Sequence, residues 1–204
     1  VTLIKPKSIP IMILIPLFSI TSAIGISVLY GMSVEQFQLA QAFSFKVSFA
    51  PTLMMLVMAA CFEELGWRGY AFESLYSKFN YFYATLVFGV LWSLWHFPLL
   101  FLKGTYQHYL MELGSLYVIN FFLSIIPLAF IISWVGKINR FSISSAILFH
   151  FIINICQEMF MPEPITKCIQ TVVLAVLSIS IMYLKRDLFF DKNSHEMFFA
   201  YKIL

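Results

Sequence analysis

The sequence predicts an all-α fold, a polytopic membrane helical bundle of about six transmembrane helices. Three observations predict it. The 204 residues are 61% hydrophobic and only 11% charged, too few polar groups to cover the surface of a soluble domain this long. The apolar residues gather in runs of about 20, the length that crosses bilayer hydrocarbon as a helix. The second of these runs leads into one charge cluster, Glu63, Glu64 and Arg68. An ionised group near the bilayer centre costs roughly 2.5–3.5 kcal/mol on insertion scales, so such groups persist where they have partners and a task.

The first candidate span is 9–30. It is too long, and too poor in a small-residue cleavage site, for a removable signal peptide. A loop from Gly31 to Ser44 leads to the second span, 47–66, which is uncharged from Pro51 to Phe62. Arg68, Glu73 and Lys78 then make the chain polar enough to leave the membrane, yet nothing from Tyr70 to Tyr76 breaks a helix. Span two is therefore expected to run on as a helix, turn near Lys78-Phe79-Asn80 and return as span three, 81–102. A loop from Lys103 to Gly114 precedes span four, 114–135. Span five is 141–160, and after Met161-Pro162-Glu163-Pro164 comes span six, 165–184.

Residues 185–204 read as a cytoplasmic tail. Its aromatic residues, among them Phe189, Phe190, Phe198, Phe199 and Tyr201, suit either an interfacial segment or a disordered one. With no linker and no internal repeat, 1–204 reads as a single integral membrane domain whose catalytic core is about 47–160.

Charge placement sets the orientation. With the N-terminus in the cytoplasm, Lys5, Lys7, Lys78, Lys137, Arg140, Lys185, Arg186, Lys192 and Lys202 lie inside, and Lys46, Lys103 and Lys167 outside. The bias favours N-in and C-in. The net charge of +3 thus reflects topology, and no phosphate loop or aromatic-basic motif points to nucleic acid. Cys61, Cys156 and Cys168 have neither metal-like nor disulfide-like spacing and read as buried thiols.

Inside the spans, helical spacing organises the polar groups. Glu64 and Arg68 stand at i and i+4 with the acid N-terminal, the better order for an ion pair. Glu63 points about 100° away from Glu64. On span three Trp92 and His96 share a face, and on span five His150 and Asn154 do the same. Counted from a turn at Phe79, Glu63 and His96 fall at nearly equal height in an antiparallel hairpin, within about one 1.5 Å rise. Each has a structural reading: a histidine on a backbone carbonyl, an Asn such as Asn120 or Asn154 as interhelical glue, Arg68 as an orientation charge. An acidic pair, an arginine and two histidines on three helices are harder to explain as packing, because helix association in lipid needs small residues rather than a costly polar core. His108 and His195 fall in loop and tail, Gln157, Glu158 and Glu163 read as interface residues, and the 23 Phe as packing and lipid-facing bulk.

A carboxylate flanked by histidines can take a proton from water, while an Asn amide and an imidazole N–H meet the developing oxyanion. Amide hydrolysis uses all of these groups. Glu63, His96 and His150 could instead ligate zinc with one open position, although the H-E-x-x-H spacing is absent. No Ser or Cys has a nucleophile-elbow context.

The ordered set E-E-x-x-x-R (Glu63, Glu64, Arg68), aromatic-x-x-x-H (Trp92, His96) and H-x-x-x-N (His150, Asn154) resembles the CPBP family. These are the type II CAAX-prenyl endopeptidases and the related bacteriocin-processing and immunity (Abi) proteins. The similarity covers roughly residues 50–160, with Trp92 standing where the family usually has Phe. The resemblance implies an intramembrane endopeptidase in which Glu63 is the general base and His96 helps hold the attacking water. It implies that His150 and Asn154 stabilise the oxyanion while Glu64 and Arg68 organise the site. Members are often described as metalloproteases, but the glutamate mechanism of the CAAX branch needs no metal, and that version is expected here. Members often carry more spans, so a reduced N-terminal part is expected.

The expected substrate is a peptide or an unprenylated membrane-associated protein, and the expected location a bacterial plasma membrane. Two rival classes are an immunity or regulatory protein that acts by binding, and a proton-coupled transporter. Against the transporter, the chain has no inverted repeat and no paired Gly/Pro-broken helices.

Overall fold

The computed structural model describes residues 4–40 and 49–190, and its regular elements there are helices. Apart from short 3-10 turns at Pro6–Ser8, Val34–Phe37 and Phe97–Phe101, they are in chain order α1 (Ile9–Leu29), α2 (Phe49–Gly66), a π-helical segment (Trp67–Ala71), α3 (Phe72–Tyr76), α4 (Tyr81–Trp95), α5 (Tyr106–Leu113), α6 (Ser115–Ile138), α7 (Ile143–Met159), α8 (Pro164–Leu184) and α9 (Arg186–Phe190). Among the described residues, four stretches are long and apolar enough to cross a membrane: Pro6–Leu29, Tyr81–Phe101, Ser115–Ile138 and Pro164–Leu184. α7 is apolar but shorter. The chain is an all-α, multi-pass membrane protein.

The chain divides into two compact units. The first comprises Val1–Gly66 and Val135–Val173. Here α7 is the central element, with α1 and α2 both packed along it. Ile20 and Ile24 of α1 meet Cys156 of α7, with Leu17, Val28, Ile152 and Phe160 around them. Hydrocarbon outside gives helices no hydrophobic reason to associate, so polar bonds add to packing. The Thr166 hydroxyl donates to Gln36 Oε1 at 2.6 Å and lies 2.8 Å from Ser27 Oγ. Gln36 Oε1 also accepts the Glu163 backbone N–H at 2.9 Å. Gln170 Nε2 donates to Ser19 Oγ at 3.2 Å, and the Ser8 hydroxyl and Lys5 N–H both approach Asn139 Oδ1 at 2.9 Å. Most of this glue comes from residues near the span ends, with Ser19 at the middle of α1, and Glu163, expected at an interface, belongs to it through its backbone.

The second unit comprises Trp67–Trp134 and Leu174–Leu204. Gly89 lets α4 and α6 approach closely: a Cβ there would stand 3.0 Å from Ala129 Cβ. The Tyr81 hydroxyl donates to the Ser133 carbonyl at 2.6 Å, and the Ser93 hydroxyl to the Phe122 carbonyl at 2.9 Å. Asn80 caps α4 by accepting the Tyr83 N–H at 2.9 Å.

Three expectations change. Span two does continue as helix to Tyr76 and turns where expected, but Trp67–Ala71 is π-helical rather than α-helical, a geometry frequent at functional sites. The stretch from Lys103 to Gly114, expected as loop, contains α5: Thr105 caps it, and Gly104 and Gly114 supply the positive φ angles at its two ends. His108 on α5 is half-buried, its Nδ1 2.8 Å from the Leu100 carbonyl oxygen. The aromatic tail begins inside the fold, since Phe189 of α9 is fully buried against Tyr81 and Phe130, with ring centroids 5.5 and 5.9 Å away. The rest of the expected tail, including His195, and Lys46 lie outside the described residues.

Candidate active site

Glu63, Glu64, His150 and Asn154 belong to the first unit. On α2, Leu56, Ala60 and Glu64 are spaced by four, and all three are buried, so the carboxylate continues an apolar stripe. On α7, Ala146, Phe149, His150 and Ile153 form the buried stripe. Each helix thus places one polar side chain on its inward face, and the two meet: His150 Nδ1 lies 2.8 Å from Glu64 Oε1. Glu64 is 0% exposed and His150 5%. Burying either alone would carry a large desolvation penalty, so the bond is close to obligatory. Glu63, about a third of a turn round α2, is half-buried, as is Asn154, one turn beyond His150.

Arg68, Trp92 and His96 belong to the second unit. The π-helical segment carries Arg68, whose guanidinium carbon lies 4.1 Å from the Phe88 ring centre and 5.0 Å from that of Trp92. Those two rings stack at 5.6 Å with 23° between their planes, giving the planar cation an aromatic wall. His96 is the C-terminal cap of α4. Its Nδ1 lies 2.9 Å from the Trp92 carbonyl oxygen, and a carbonyl only accepts. Nδ1 therefore carries a proton and donates it to that carbonyl. Phe121 meets the ring edge-on at 5.5 Å.

The spacing argument for Trp92 and His96 therefore leads to a direct bond. Two features escaped the sequence reading. Phe88, taken as bulk, is a ring under Arg68; its signal was its place one turn before Trp92. Glu64 bonds His150, and the signal was its register with Leu56 and Ala60.

Among the described residues no group of three or more His, Cys, Asp or Glu is gathered to hold a metal ion.

Residues 45–156 match the family of type II CAAX prenyl endopeptidases, Rce1-like, a stretch that contains every motif residue from Glu63 to Asn154. The chain is also 45% identical over 190 residues to CAAX prenyl protease 2 of Methanococcus maripaludis, an alignment covering 93% of this chain and 70% of that relative. A buried carboxylate–imidazole pair in a multi-pass helical protein fits that likeness, and the chain belongs to the Rce1-like type II CAAX prenyl endopeptidases, a family of intramembrane peptidases.

Proposed function

We propose that this peptidase hydrolyses a peptide bond of a membrane-associated peptide or protein with a water activated by Glu63, without a metal. The Glu63 carboxylate takes a proton from water, and the resulting hydroxide adds to the scissile carbonyl carbon. Negative charge on the carbonyl oxygen is met by N–H donors from His150 and Asn154, one helical turn apart on α7. Collapse breaks the C–N bond, and the proton held by Glu63 passes to the departing amine nitrogen. His96 is assigned to the water by motif order. Glu64 and Arg68 are assigned to organising these groups.

One observation carries the reading: the buried 2.8 Å bond between Glu64 and His150, which fixes an imidazole beside the helix that bears Glu63. The name of the relative, CAAX prenyl protease 2, makes a prenylated C-terminal motif the first substrate class to test. The protein, reconstituted in nanodiscs, is incubated with a fluorogenic peptide ending in such a motif and with its unprenylated twin. Cleavage of either, lost in Glu63→Gln, supports the reading; equal cleavage by wild type and Glu63→Gln overturns it. Cleavage of the prenylated peptide alone names the substrate class. A protective or transport phenotype that survives Glu63→Gln without cleavage would favour a binding protein or a carrier instead.

A further inference from the structure

Two segments far apart in the chain are tied together at one end of the first unit. The Lys5 backbone N–H donates to Asn139 Oδ1 at 2.9 Å, and the Ser8 hydroxyl lies 2.9 Å from the same oxygen. Asn139 Nδ2 in turn donates to the Val135 carbonyl at 2.9 Å. One buried amide thus holds the turn that leads into α1 against the turn between α6 and α7. Charge follows from that clasp. Lys5, Lys7 and Arg140 are exposed and Lys137 is half-buried, with Lys137 Nζ 4.8 Å from the Phe141 ring centre. Residues 4–16 and 135–148 together carry these four cations and no carboxylate. Glu64, the acid of α2 that meets α7, stands at the level of His150, about two helical turns beyond Ile143.

Ordinary roles explain part of this. Cations near the C-terminal end of α6 suit its dipole, and Lys and Arg gathered on one side of a membrane set orientation. Neither role asks for the backbone of the turn. Arg140 and Phe141 stand at φ 55° and 58°, two successive residues in the left-handed region that glycine adopts freely and a side chain makes costly. Strain of this kind persists where the surroundings impose it, and it gathers at sites that bind. The same corner has an apolar flank. Ile9, Ile13 and Leu14, on the first turns of α1, are exposed, and the membrane-length stretches Pro6–Leu29 and Ser115–Ile138 have their ends here. Cations at the level where spans end, beside an exposed apolar flank, match a headgroup that carries an acyl chain better than a free ion.

We propose that Lys5, Lys7, Lys137 and Arg140 form a site for the phosphate headgroup of an anionic membrane lipid, with its acyl chain along Ile9 and Ile13. Basic pockets at helix ends hold such headgroups, and Ile9 and Ile13, four residues apart, share one face of α1.

The whole chain in detergent is titrated with dioleoyl phosphatidylglycerol or dioleoyl phosphatidylcholine, and bound lipid is counted by native mass spectrometry. Wild type is expected to hold the anionic lipid in preference to the zwitterionic one. A cation near a membrane surface is worth about fivefold in affinity. Lys5→Gln/Lys7→Gln, which leaves the backbone clasp in place, should therefore weaken phosphatidylglycerol about 25-fold, by the same factor applied twice. Arg140→Gly, which suits the left-handed turn, should weaken it about fivefold. Lys185→Gln/Arg186→Gln removes two exposed cations of the second unit and should change it by less than about twofold. Equal loss in the two double variants means diffuse surface charge and overturns the site. So does equal retention of the two lipids by wild type, or unchanged binding in Lys5→Gln/Lys7→Gln. Displacement of the lipid by excess inorganic phosphate would mark a free-anion site and overturn the lipid assignment. Should Arg140→Gly not fold, the two double variants decide alone.

Discussion

The guanidinium carbon of Arg68 sits 4.1 Å from the centre of the Phe88 ring, so a cation on the π-helical segment is held by an aromatic face of α4. A planar cation on stacked rings is not equivalent to a point charge on a flexible stem. Phe88→Leu is expected to lower kcat about twofold to thirtyfold, the range set by a cation–π contact of about 0.5–2 kcal/mol. Phe88→Tyr, which keeps the ring face, loses less, and Arg68→Lys loses more than Phe88→Tyr. Steady-state kinetics on the fluorogenic peptide check this; an unchanged Phe88→Leu removes the ring from the account.

Replacing the proposed base should be severe. Glu63→Gln is expected to lower kcat by about 10²–10⁴-fold, the span of general base catalysis, with the melting temperature in detergent close to wild type because Glu63 is only half-buried. A large drop in melting temperature would instead mark Glu63 as structural.

Chelation separates the two water-activation chemistries. With a metal-free carboxylate base, incubation with EDTA followed by desalting leaves turnover within about twofold, whereas a hydrolytic zinc held by three protein ligands would be stripped and activity lost. Restoration of activity by added zinc after such treatment would overturn the metal-free reading.

Gly89 gives a stability test away from the chemistry. Gly89→Val places a branched side chain where even a Cβ stands 3.0 Å from Ala129 Cβ, and overpacking of this kind costs about 1–3 kcal/mol. Ala129→Gly should recover part of that loss, because it removes the atom that is met first. Chemical denaturation of the single and double variants measures the coupling.

The six-span, N-in and C-in topology is itself a proposal, resting on the bias of Lys and Arg. A fluorescent protein fused after Leu204 is expected on the cytoplasmic side. An alkaline phosphatase fused there and found active outside would reverse the orientation.

Much of this was legible in the sequence. The apolar runs placed α1, α6, α7 and α8 to within a few residues, and α4 at its start, because the length needed to cross hydrocarbon leaves little freedom. The polar set was legible because each member is costly where it stands. The π-helical turn was not, since nothing in Trp67-Arg68-Gly69-Tyr70-Ala71 forbids ordinary helical bonding. Nor was the aromatic face under Arg68, because a ring carries no formal charge to notice. The network around Gln36 and Thr166 was hidden for a related reason. Polar residues beside a loop read as wetted surface until tertiary structure folds the loop inward.

Phe189 seats its ring against Tyr81 and Phe130 from the C-terminal end of the chain. Translation delivers that ring long after α4 and α6 have entered the bilayer, so its seat must wait vacant, lined by rings, until α9 leaves the ribosome. Proteolytic clipping or early termination just before Arg186 would therefore leave an apolar socket open at the end of the unit, and quality-control proteases are well suited to find it.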